Sequence, residues 1–208
     1  MTDTVMMGDV ASAEGDDLHL SPILSAALVE LRENGYHGTS VRKIVTRAGL
    51  TLPSLYYHYG NKEGVLVALL NIAMDDLLNK LRKVLDDPSS KDPVVRLRWI
   101  VRSTVLHVTQ RQDLASLHRE FRFLERAAVA PYLERRHEVD DMLVEVLNDG
   151  NRTGQFHITD MEYTKLAVLG MAQGIADWYR PNGADSPSTI ADRYEALTLR
   201  LVGADPTD

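Results

Sequence analysis

Residues 39–62 read TSVRKIVTRAGLTLPSLYYHYGNK, and the pattern of this stretch predicts how the N-terminal part of the chain folds. Its first half carries apolar residues at the spacing of one helix face, namely Val41, Ile44, Val45 and Ala48. Gly49 ends this helix, because glycine readily adopts the left-handed conformation of helix C-termini. Thr51 can cap a second helix, whose first turn tolerates Pro53. This order predicts a helix-turn-helix unit, in which the second helix enters a DNA major groove.

Basic residues stand at the starts of two predicted helices. Arg42 and Lys43 lie in the first turn of the helix capped by Thr39 or Ser40, where the helix dipole disfavours positive charge. Lys62 repeats the arrangement at the start of the next helix. Such a placement is favourable beside an anion, and helix N-terminal amides, hydroxyls and basic side chains all bind phosphate. We therefore predict that these residues contact the backbone of DNA.

The second helix of the unit exposes an unusual set of side chains. Leu55 and Tyr59 are four residues apart and can both face inward, but the residues between them cover too wide an arc to share that face, at about 100° each. Some of these aromatic and imidazole groups must face outward, where they suit phosphate contacts. The predicted DNA-contacting residues are Thr39, Ser40, Arg42, Lys43, Thr51, Leu52, Pro53, Ser54, Tyr56, Tyr57, His58 and Lys62. The predicted base readers among them are Leu52, Pro53 and Ser54.

A longer pattern surrounds this unit. Residues Ala48 to Glu63 follow the order Ala-Gly-x-Thr-x-x-x-Leu-Tyr-Tyr-His-aromatic-x-Asn-Lys-Glu. Over about residues 21–70 the chain resembles the TetR-type (TetR/AcrR) bacterial transcriptional regulators. It departs from their pattern at Tyr59, where Phe is usual, and at Gly64, where an acidic residue is common. The resemblance implies an N-terminal DNA-binding domain and a C-terminal helical domain that binds a small molecule and dimerises through its last two long helices.

Composition limits the class of protein. Of the 208 residues, 44% are hydrophobic, which is ordinary for a globular protein with a substantial core. The chain has no long apolar run, and its N-terminus lacks the basic and apolar blocks of a secretory signal. We therefore expect no membrane span and a cytoplasmic location. The chain has no cysteine, which excludes disulfides, thiolate metal sites and a cysteine nucleophile.

The charge is unevenly distributed along the chain. The formal net charge is −7, but residues 1–20 hold five acidic and no basic residues, and residues 21–63 hold five basic and three acidic residues. The helix-turn-helix segment is therefore the only one of the three segments with a net positive charge, since residues 64–208 hold eighteen basic and twenty-two acidic residues. This pattern predicts salt-sensitive DNA binding through a small number of phosphate contacts per subunit.

The remaining periodicity predicts an all-α protein of about nine helices, without strand-like alternation. We divide it into a disordered acidic tail (1–20), a helix-turn-helix DNA-binding domain (21–66) and a ligand-binding and dimerisation domain (67–208). A long helix over 62–85 connects the two domains, and a turn-rich break follows at 86–93. Further helices are predicted over 94–111, 113–130 and 131–151. The next starts at Thr159 or Asp160 and reaches Tyr179, and the last starts at Ser186 or Ser188 and ends at Gly203.

The last two predicted helices have features of a dimer interface. Residues 164–179 mix small residues with large apolar ones, which permits close helix approach. The last helix carries apolar residues at heptad-like spacing, namely Ile190, Tyr194, Leu197 and Leu201. These patterns favour a four-helix homodimer seam. The alternative, in which both helices only complete an intrachain core, remains open at this point.

The middle helices are predicted to bind the effector. Arg119, Arg122 and Arg126 would share one helix face, which suits an anionic ligand; the alternative is a solvated face paired with nearby glutamates. The predicted ligand-binding residues are Trp99, Arg102, Arg119, Arg122, Arg126, Met142, Met171 and Trp178.

A second resemblance concerns the nature of the effector. Gly154-Gln155-Phe156 and the stretch from Ala176 to Pro181 look like a TetR subgroup that includes regulators of fatty-acid and sterol catabolism. This resemblance implies an acyl-CoA thioester or another hydrophobic acid as effector. Drug-like cations are the alternative, bound by an aromatic pocket that Trp99, Trp178, Tyr132 and Tyr163 would line.

Metal binding and catalysis are not predicted. His107, His118, His137 and His157 have no partner at i+4 and are interpreted as surface or core histidines. No Gly-x-Ser-x-Gly elbow occurs either, so we expect no cofactor and no enzyme.

The sequence thus predicts a ligand-responsive DNA-binding transcriptional repressor. It would bind a near-palindromic operator as a homodimer and be released by a small-molecule effector. Two alternatives stay open. One is a helical enzyme or small-molecule-binding protein that keeps the opening motif without using it, and the other is a regulator, such as an activator, that works through a protein partner.

Overall fold

The computed structural model describes residues 18–86 and 91–204. Within these ranges the chain forms nine α-helices and one 3₁₀ helix and no strand, which confirms the all-α prediction. The helices are α1 (Pro22–Gly38), α2 (Val41–Ala48), α3 (Leu52–Tyr59), α4 (Lys62–Leu85), α5 (Pro93–Gln110), α6 (Gln112–Ser116), the 3₁₀ helix (Leu117–Phe123), α7 (Arg126–Thr153), α8 (Met161–Trp178) and α9 (Pro187–Leu201).

Capping residues and glycines mark the boundaries of the first helices. The Ser21 hydroxyl caps α1 by accepting a hydrogen bond from the Leu24 amide, and Gly35 interrupts the helix with a φ of 65°. Ser40, rather than Thr39, caps α2, and Gly49 ends it in the left-handed conformation. The apolar faces of these helices meet in one core, which contains Leu24, Ala27, Leu31, Ile44, Val45 and Leu55.

Helix α4 spans the range predicted for the connector and belongs to two cores. Its first half, from Val65 to Ala73, packs in the N-terminal core, whereas Leu77, Leu78 and Leu81 pack in a second core with α5, α7, α8 and α9. The N-terminal core also includes Tyr132 of α7. A movement of α4 or α7 would therefore change the packing of both cores.

The predicted helices over 113–130 and 131–151 are wrong. The chain instead forms α6, the 3₁₀ helix and then one long α7, which passes through Pro131. Pro131 is only the sixth residue of α7, so its missing N–H removes one bond to the carbonyl of the exposed Ala127, which water can satisfy. Val129 and Tyr132, 4% and 2% exposed, anchor this turn in the N-terminal core, and we attribute the tolerance of the proline to that burial.

Most of the predicted tail and the middle of the predicted turn fall outside the described residues. These parts are residues 1–17 and residues 87–90. Leu18 and Leu20, which the sequence analysis places in the tail, pack against the N-terminal core. None of the described helices is both long enough and apolar enough to cross a membrane.

Candidate DNA-binding face and effector cavity

Helix α3 packs through one face and presents the other to solvent. Leu55 is fully buried, and the Tyr59 hydroxyl lies 2.8 Å from the Ser21 hydroxyl, which fixes α3 against α1. Tyr56 and Tyr57 are 50% and 85% exposed. The outward orientation of such large aromatic side chains leaves them available to a partner.

The leading end of α3 is also accessible. Leu52 and Ser54 are half-buried, and Pro53 and Thr51 are exposed, as is His58 at the other end of the helix. Thr51 is the N-cap residue, as predicted, but its side chain makes no capping hydrogen bond. This residue is exposed at a helix N-terminus, a position that suits an anion.

The start of α2 carries the second group of predicted contacts. The Ser40 hydroxyl accepts a hydrogen bond from the Lys43 amide at 3.3 Å, and the Lys43 ammonium donates one to the Gly38 carbonyl at 3.0 Å. Arg42 is exposed, and in the described part of the chain it has no carboxylate within ion-pairing distance. Its charge at a helix N-terminus thus has no intramolecular partner that explains it.

Two of the predicted phosphate contacts have structural roles instead. Thr39 is 3% exposed, and its hydroxyl donates to the carbonyls of Glu30 and Gly35 at 3.0 and 2.8 Å. The Lys62 ammonium donates to the carbonyls of Tyr36 and Thr39 at 2.7 and 3.0 Å. Its nitrogen also lies 4.1 Å from the Tyr36 ring centroid, and burial lowers its pKa. Lys62 thus ties the start of α4 to the end of α1, because carbonyls at a helix C-terminus attract a cation. The Thr39 hydroxyl fixes the end of α1 itself.

The structure does not assemble the predicted ligand-binding residues into one site. Arg102 is buried between α5 and α9, where it pairs with Glu195 at 2.6 Å and with Asp192. The arginine row is split, because Arg119 and Arg122 lie on the 3₁₀ helix and Arg126 begins α7. The other four predicted residues are dispersed: Trp99 is buried, Met142 and Met171 are half-buried, and Trp178 is 49% exposed.

A cavity of about 80 Å³ lies where the two cores meet. Leu70 and Ala73 of the N-terminal core line it together with Leu77 and Val139 of the second core. Its walls come from α4, α5, α6, the 3₁₀ helix, α7 and α8. None of the eight predicted ligand-binding residues, all of which are described, is among its lining residues. We refer to it as the effector cavity.

Two histidines supply hydrogen-bonding groups to the effector cavity. His107 is 4% exposed, and its Nδ1 lies 2.9 Å from Oδ2 of Asp76. Burial would raise the pKa of Asp76, but hydrogen bonds from His107 and Lys80 lower it to about 2. Burial lowers the pKa of His107. The result is a neutral imidazole held by an ionised carboxylate.

The second histidine, His118, forms a neutral pair with Tyr132. Its Nδ1 lies 2.6 Å from the Tyr132 hydroxyl. Burial, reinforced by the charges of Arg136 and Arg119, lowers the pKa of His118 to about 4, and burial raises the pKa of Tyr132 to about 12. Both groups are therefore uncharged at neutral pH. Both histidines were predicted only as core or surface residues, because in the sequence each is marked by no more than a polar residue within an apolar stretch.

A second pocket of about 210 Å³ adjoins the effector cavity. The two share His118 and Gln173 among their lining residues. At its rim Arg119 of the 3₁₀ helix pairs with Asp177 of α8. The effector cavity and this outer pocket are therefore neighbours, and the outer pocket is lined by a charged pair.

Helices α8 and α9 expose apolar side chains that the protomer does not cover. The exposed fraction is 73% for Tyr163, 52% for Leu166 and 47% for Leu197. A Cβ atom added at Gly170 would meet nothing within 4 Å. The exposed apolar patch and the open glycine are features of a helix surface that packs against another subunit.

Within residues 18–86 and 91–204 no cluster of three His, Asp or Glu side chains could hold a metal ion.

The fold and the site define a helix-turn-helix protein with an internal cavity. Residues 23–69 match the family model for bacterial regulatory proteins of the tetR family, and residues 90–202 match the tetracyclin repressor-like C-terminal domain. The chain belongs to the TetR family of bacterial transcriptional regulators.

Curated relatives are transcriptional regulators as well. The transcriptional repressor KstR2 of Mycobacterium tuberculosis is 28% identical over 204 residues, which cover 92% of this chain and 94% of that protein. The regulator RutR of Escherichia coli O157:H7 is 31% identical over 175 residues, which cover 82% and 79%.

Solved structures share the architecture. A tetR-family regulatory protein from Rhodococcus RHA1 superposes with a TM-score of 0.82 at 25% identity, covering 88% of this chain and 96% of that one. AibR in complex with isovaleryl coenzyme A and operator DNA gives a TM-score of 0.76 at 28% identity, covering 84% and 95%.

Proposed function

We propose that the chain is a ligand-responsive transcriptional repressor that binds a near-palindromic operator as a homodimer and is released by a small-molecule effector. The observation that carries this proposal is the outward face of α3. Tyr56, Tyr57 and His58 occupy it without contributing to a core. A recognition helix needs such an accessible polar face, because it reads a groove that only accessible side chains can enter.

Contacts to DNA divide between two groups of residues. Leu52, Pro53 and Ser54 stand at the leading end of α3 and would reach base edges in the major groove. The phosphate contacts would come from the exposed polar residues around them, which are Ser40, Arg42, Lys43, Thr51, Tyr56, Tyr57 and His58. Thr39 and Lys62 leave the predicted set because Thr39 is buried and the half-buried Lys62 ammonium already has two carbonyl partners. Lys43 has one such partner but is exposed.

The homodimer would form through α8 and α9. The apolar patch at Tyr163, Leu166 and Leu197 is supported as an interface by its exposure in the protomer. Two such helices from each subunit would make a four-helix seam. The seam would place two copies of α3 about one helical turn of DNA apart, roughly 34 Å, which matches two half-sites on one side of a duplex.

The position of the effector cavity supports coupling between effector and DNA. Ala73 and Leu77, one turn apart on α4, line it from the N-terminal and the second core. A ligand that enlarges the cavity would press on α4, which continues into the helix-turn-helix domain. A ligand that binds one conformation better shifts the population toward it, and here it would favour a spacing of the two α3 helices that no longer fits the operator.

Three bonds join the DNA-binding domain to the segment beside the cavity. Arg32 pairs with Asp113 at 3.1 Å, and the Tyr36 amide donates to Glu120 at 3.2 Å. In addition, the amide of Glu125 donates to the Glu63 carboxylate. These contacts attach α1 and α4 to residues 113–125, so a displacement of that segment would be transmitted directly.

We further propose an acyl-CoA thioester as the effector. AibR, a structural neighbour, has been solved with isovaleryl coenzyme A. The effector cavity and the outer pocket together offer an apolar chamber followed by a passage to Arg119, a guanidinium suited to an anionic group. The aromatic pocket considered for drug-like cations lacks support, because Tyr132 is the only one of its four members that lines the effector cavity.

A selection from random-sequence duplexes tests the proposal, with the enriched sequence then used in fluorescence anisotropy. Ser54→Ala should alter the preference among mutated operators, whereas Tyr56→Phe should weaken all of them alike, by about two- to tenfold for one hydrogen bond. Isovaleryl-CoA should then release the operator. Failure to enrich any sequence, or equal losses on every operator for Ser54→Ala, would contradict the corresponding part of the proposal.

A further inference from the structure

The buried polar atoms of the effector cavity restrict the chemistry of the molecule it holds. Nδ1 of His107 faces the Asp76 carboxylate at 2.9 Å. An ionised carboxylate can only accept, so a neutral His107 must carry its hydrogen on Nδ1. Nε2 is then a lone-pair acceptor, and among the described residues no donor is bonded to it.

A ligand that fills the chamber determines whether this acceptor is paired. His107 is 4% exposed and lines the cavity, and its Nε2 is not among the buried polar atoms that lack a partner in the ligand-free protein. A bound molecule that brings a hydrogen-bond donor to Nε2 keeps the acceptor paired. A molecule that covers Nε2 without a donor leaves a polar atom buried and unpaired, which weakens its binding.

The charges in the chamber favour a neutral donor. Arg136 and Asp140 both line the cavity, one turn apart on α7. Their charges offset each other, so a buried ammonium or carboxylate on the ligand would find no net compensation. A hydroxyl group meets the requirement, because it donates to Nε2 and carries no charge.

The size of the chamber limits the group that enters it. An engineered protein cavity of about 150 Å³ holds benzene. In proportion, the 80 Å³ of the effector cavity would hold roughly three or four non-hydrogen atoms. The outer pocket of 210 Å³, which shares His118 and Gln173 with the cavity, has room for the remainder of a longer ligand.

We infer that the effector is a short-chain hydroxyacyl thioester whose hydroxyl group donates a hydrogen bond to Nε2 of His107. This inference rests on the proposed function and specifies the ligand of the same cavity. The short hydroxylated chain occupies the effector cavity, and the thioester and its carrier extend through the outer pocket toward Arg119. A four-ring sterol body is far larger than the chamber.

Isothermal titration calorimetry of the full-length protein tests the inference with two probes that differ by one oxygen atom. The probes are 3-hydroxybutyryl-CoA and butyryl-CoA, and free CoA reports any contribution of the carrier alone. We expect the hydroxylated probe to bind at least tenfold more tightly, because butyryl-CoA leaves one hydrogen bond unmade. A tenfold difference in affinity corresponds to about 1.4 kcal/mol.

Two matched variants assign the preference to His107. His107→Phe keeps a ring of similar shape and removes the acceptor, so it should reduce the preference to about twofold or less. Thr109→Val removes a buried hydroxyl on the same helix, one that bonds only to carbonyls of α5, and should retain the full preference. If His107→Phe does not fold, as judged by circular dichroism, the two probes on the unaltered protein still decide.

The outcomes separate this inference from the proposed function. Equal affinity for the two CoA esters, or a preference that survives in His107→Phe, overturns the inference and leaves an acyl thioester as effector. Absence of binding by both esters overturns the inference together with the thioester proposal. The DNA-binding part of the proposed function is judged independently, by the duplex selection and anisotropy without any ligand.

Discussion

Single side chains determine whether a basic residue at a helix start serves DNA or the protein itself. Arg42 and Lys62 look alike in the sequence, since each lies in the first turn of a helix. In the structure Arg42 is exposed, whereas the Lys62 ammonium binds the carbonyl oxygens of Tyr36 in α1 and of Thr39, which follows α1. Tyr36 lies 26 residues before Lys62 in the sequence, so only the tertiary arrangement reveals this contact.

This difference gives a prediction about salt dependence. Arg42→Ala should reduce the slope of log affinity against log salt concentration by about one ion, because one phosphate contact is lost. Lys62→Met should leave that slope unchanged and lower the free energy of unfolding by about 1–2 kcal/mol, since two carbonyls lose their donor. Anisotropy titrations at several salt concentrations, paired with urea denaturation, measure both. A reduced slope for Lys62→Met would show that Lys62 does contact a phosphate group.

The pair of His118 and Tyr132 predicts a pH dependence of stability. The pKa of folded His118 is about 4, below the ordinary value of 6.5, so the unfolded chain takes up a proton first as pH falls. Stability is therefore unaffected above pH 6.5 and declines between pH 6.5 and 4. His118→Gln should be less stable than the unaltered protein at pH 7, and the difference should shrink by roughly 1–2 kcal/mol at pH 5.

Urea denaturation at pH 7 and pH 5 measures the effect, with Tyr132→Phe as the matched control. That control loses the hydroxyl and keeps His118 in its buried position, so its own stability should still decline on acidification. An unchanged difference between His118→Gln and the unaltered protein at the two pH values would contradict the account.

At the scale of the helices, prediction succeeded where a local signal marks the boundary. Gly49 ends α2 with a positive φ angle, as its residue type predicts. The predicted boundary at Pro131 was wrong, because burial of Tyr132 outweighs the local preference of proline. The effector cavity could not be predicted, since its wall joins residues from Leu70 to Gln173 that share no local pattern.

A close contact between α7 and the turn after it predicts the effect of one methyl group. A Cβ atom at Gly150 would lie 2.0 Å from Cδ2 of Phe156, whose side chain is 2% exposed. Gly150→Ala should therefore lower the free energy of unfolding by about 1–3 kcal/mol, despite the better helix propensity of alanine.

The double variant Gly150→Ala with Phe156→Leu isolates this contact. The pair should be more stable than the sum of the two single losses indicates, because the smaller side chain makes room for the methyl group. Thermal or urea unfolding of all four proteins measures the coupling. Strict additivity of the two losses would show that the contact does not limit the position.

The molecule as a whole depends on a second copy. Leu166 of α8 and Leu197 of α9 are about half exposed in the protomer. Leu166→Glu or Leu197→Glu should raise the dimer dissociation constant about thirtyfold or more, because a charge would be buried at an apolar seam. Operator affinity should fall in parallel, since one half-site alone provides half of the contacts.

Analytical ultracentrifugation measures dissociation, and circular dichroism verifies that each variant stays helical. Asn148→Glu, an exposed position on α7, serves as the control and should remain dimeric. A monomeric Leu197→Glu variant that binds the operator with full affinity would show that operator binding does not require the dimer.

The central claim is that the outward face of α3 enters the major groove of DNA in two copies. Hydroxyl-radical footprinting of the full-length protein on its selected operator tests it most directly. The account predicts two protected patches on one side of the duplex, centred about 10 base pairs apart, and their loss for Tyr57→Ala in a protein that is still dimeric. A single continuous patch, or protection that persists in Tyr57→Ala, would contradict it.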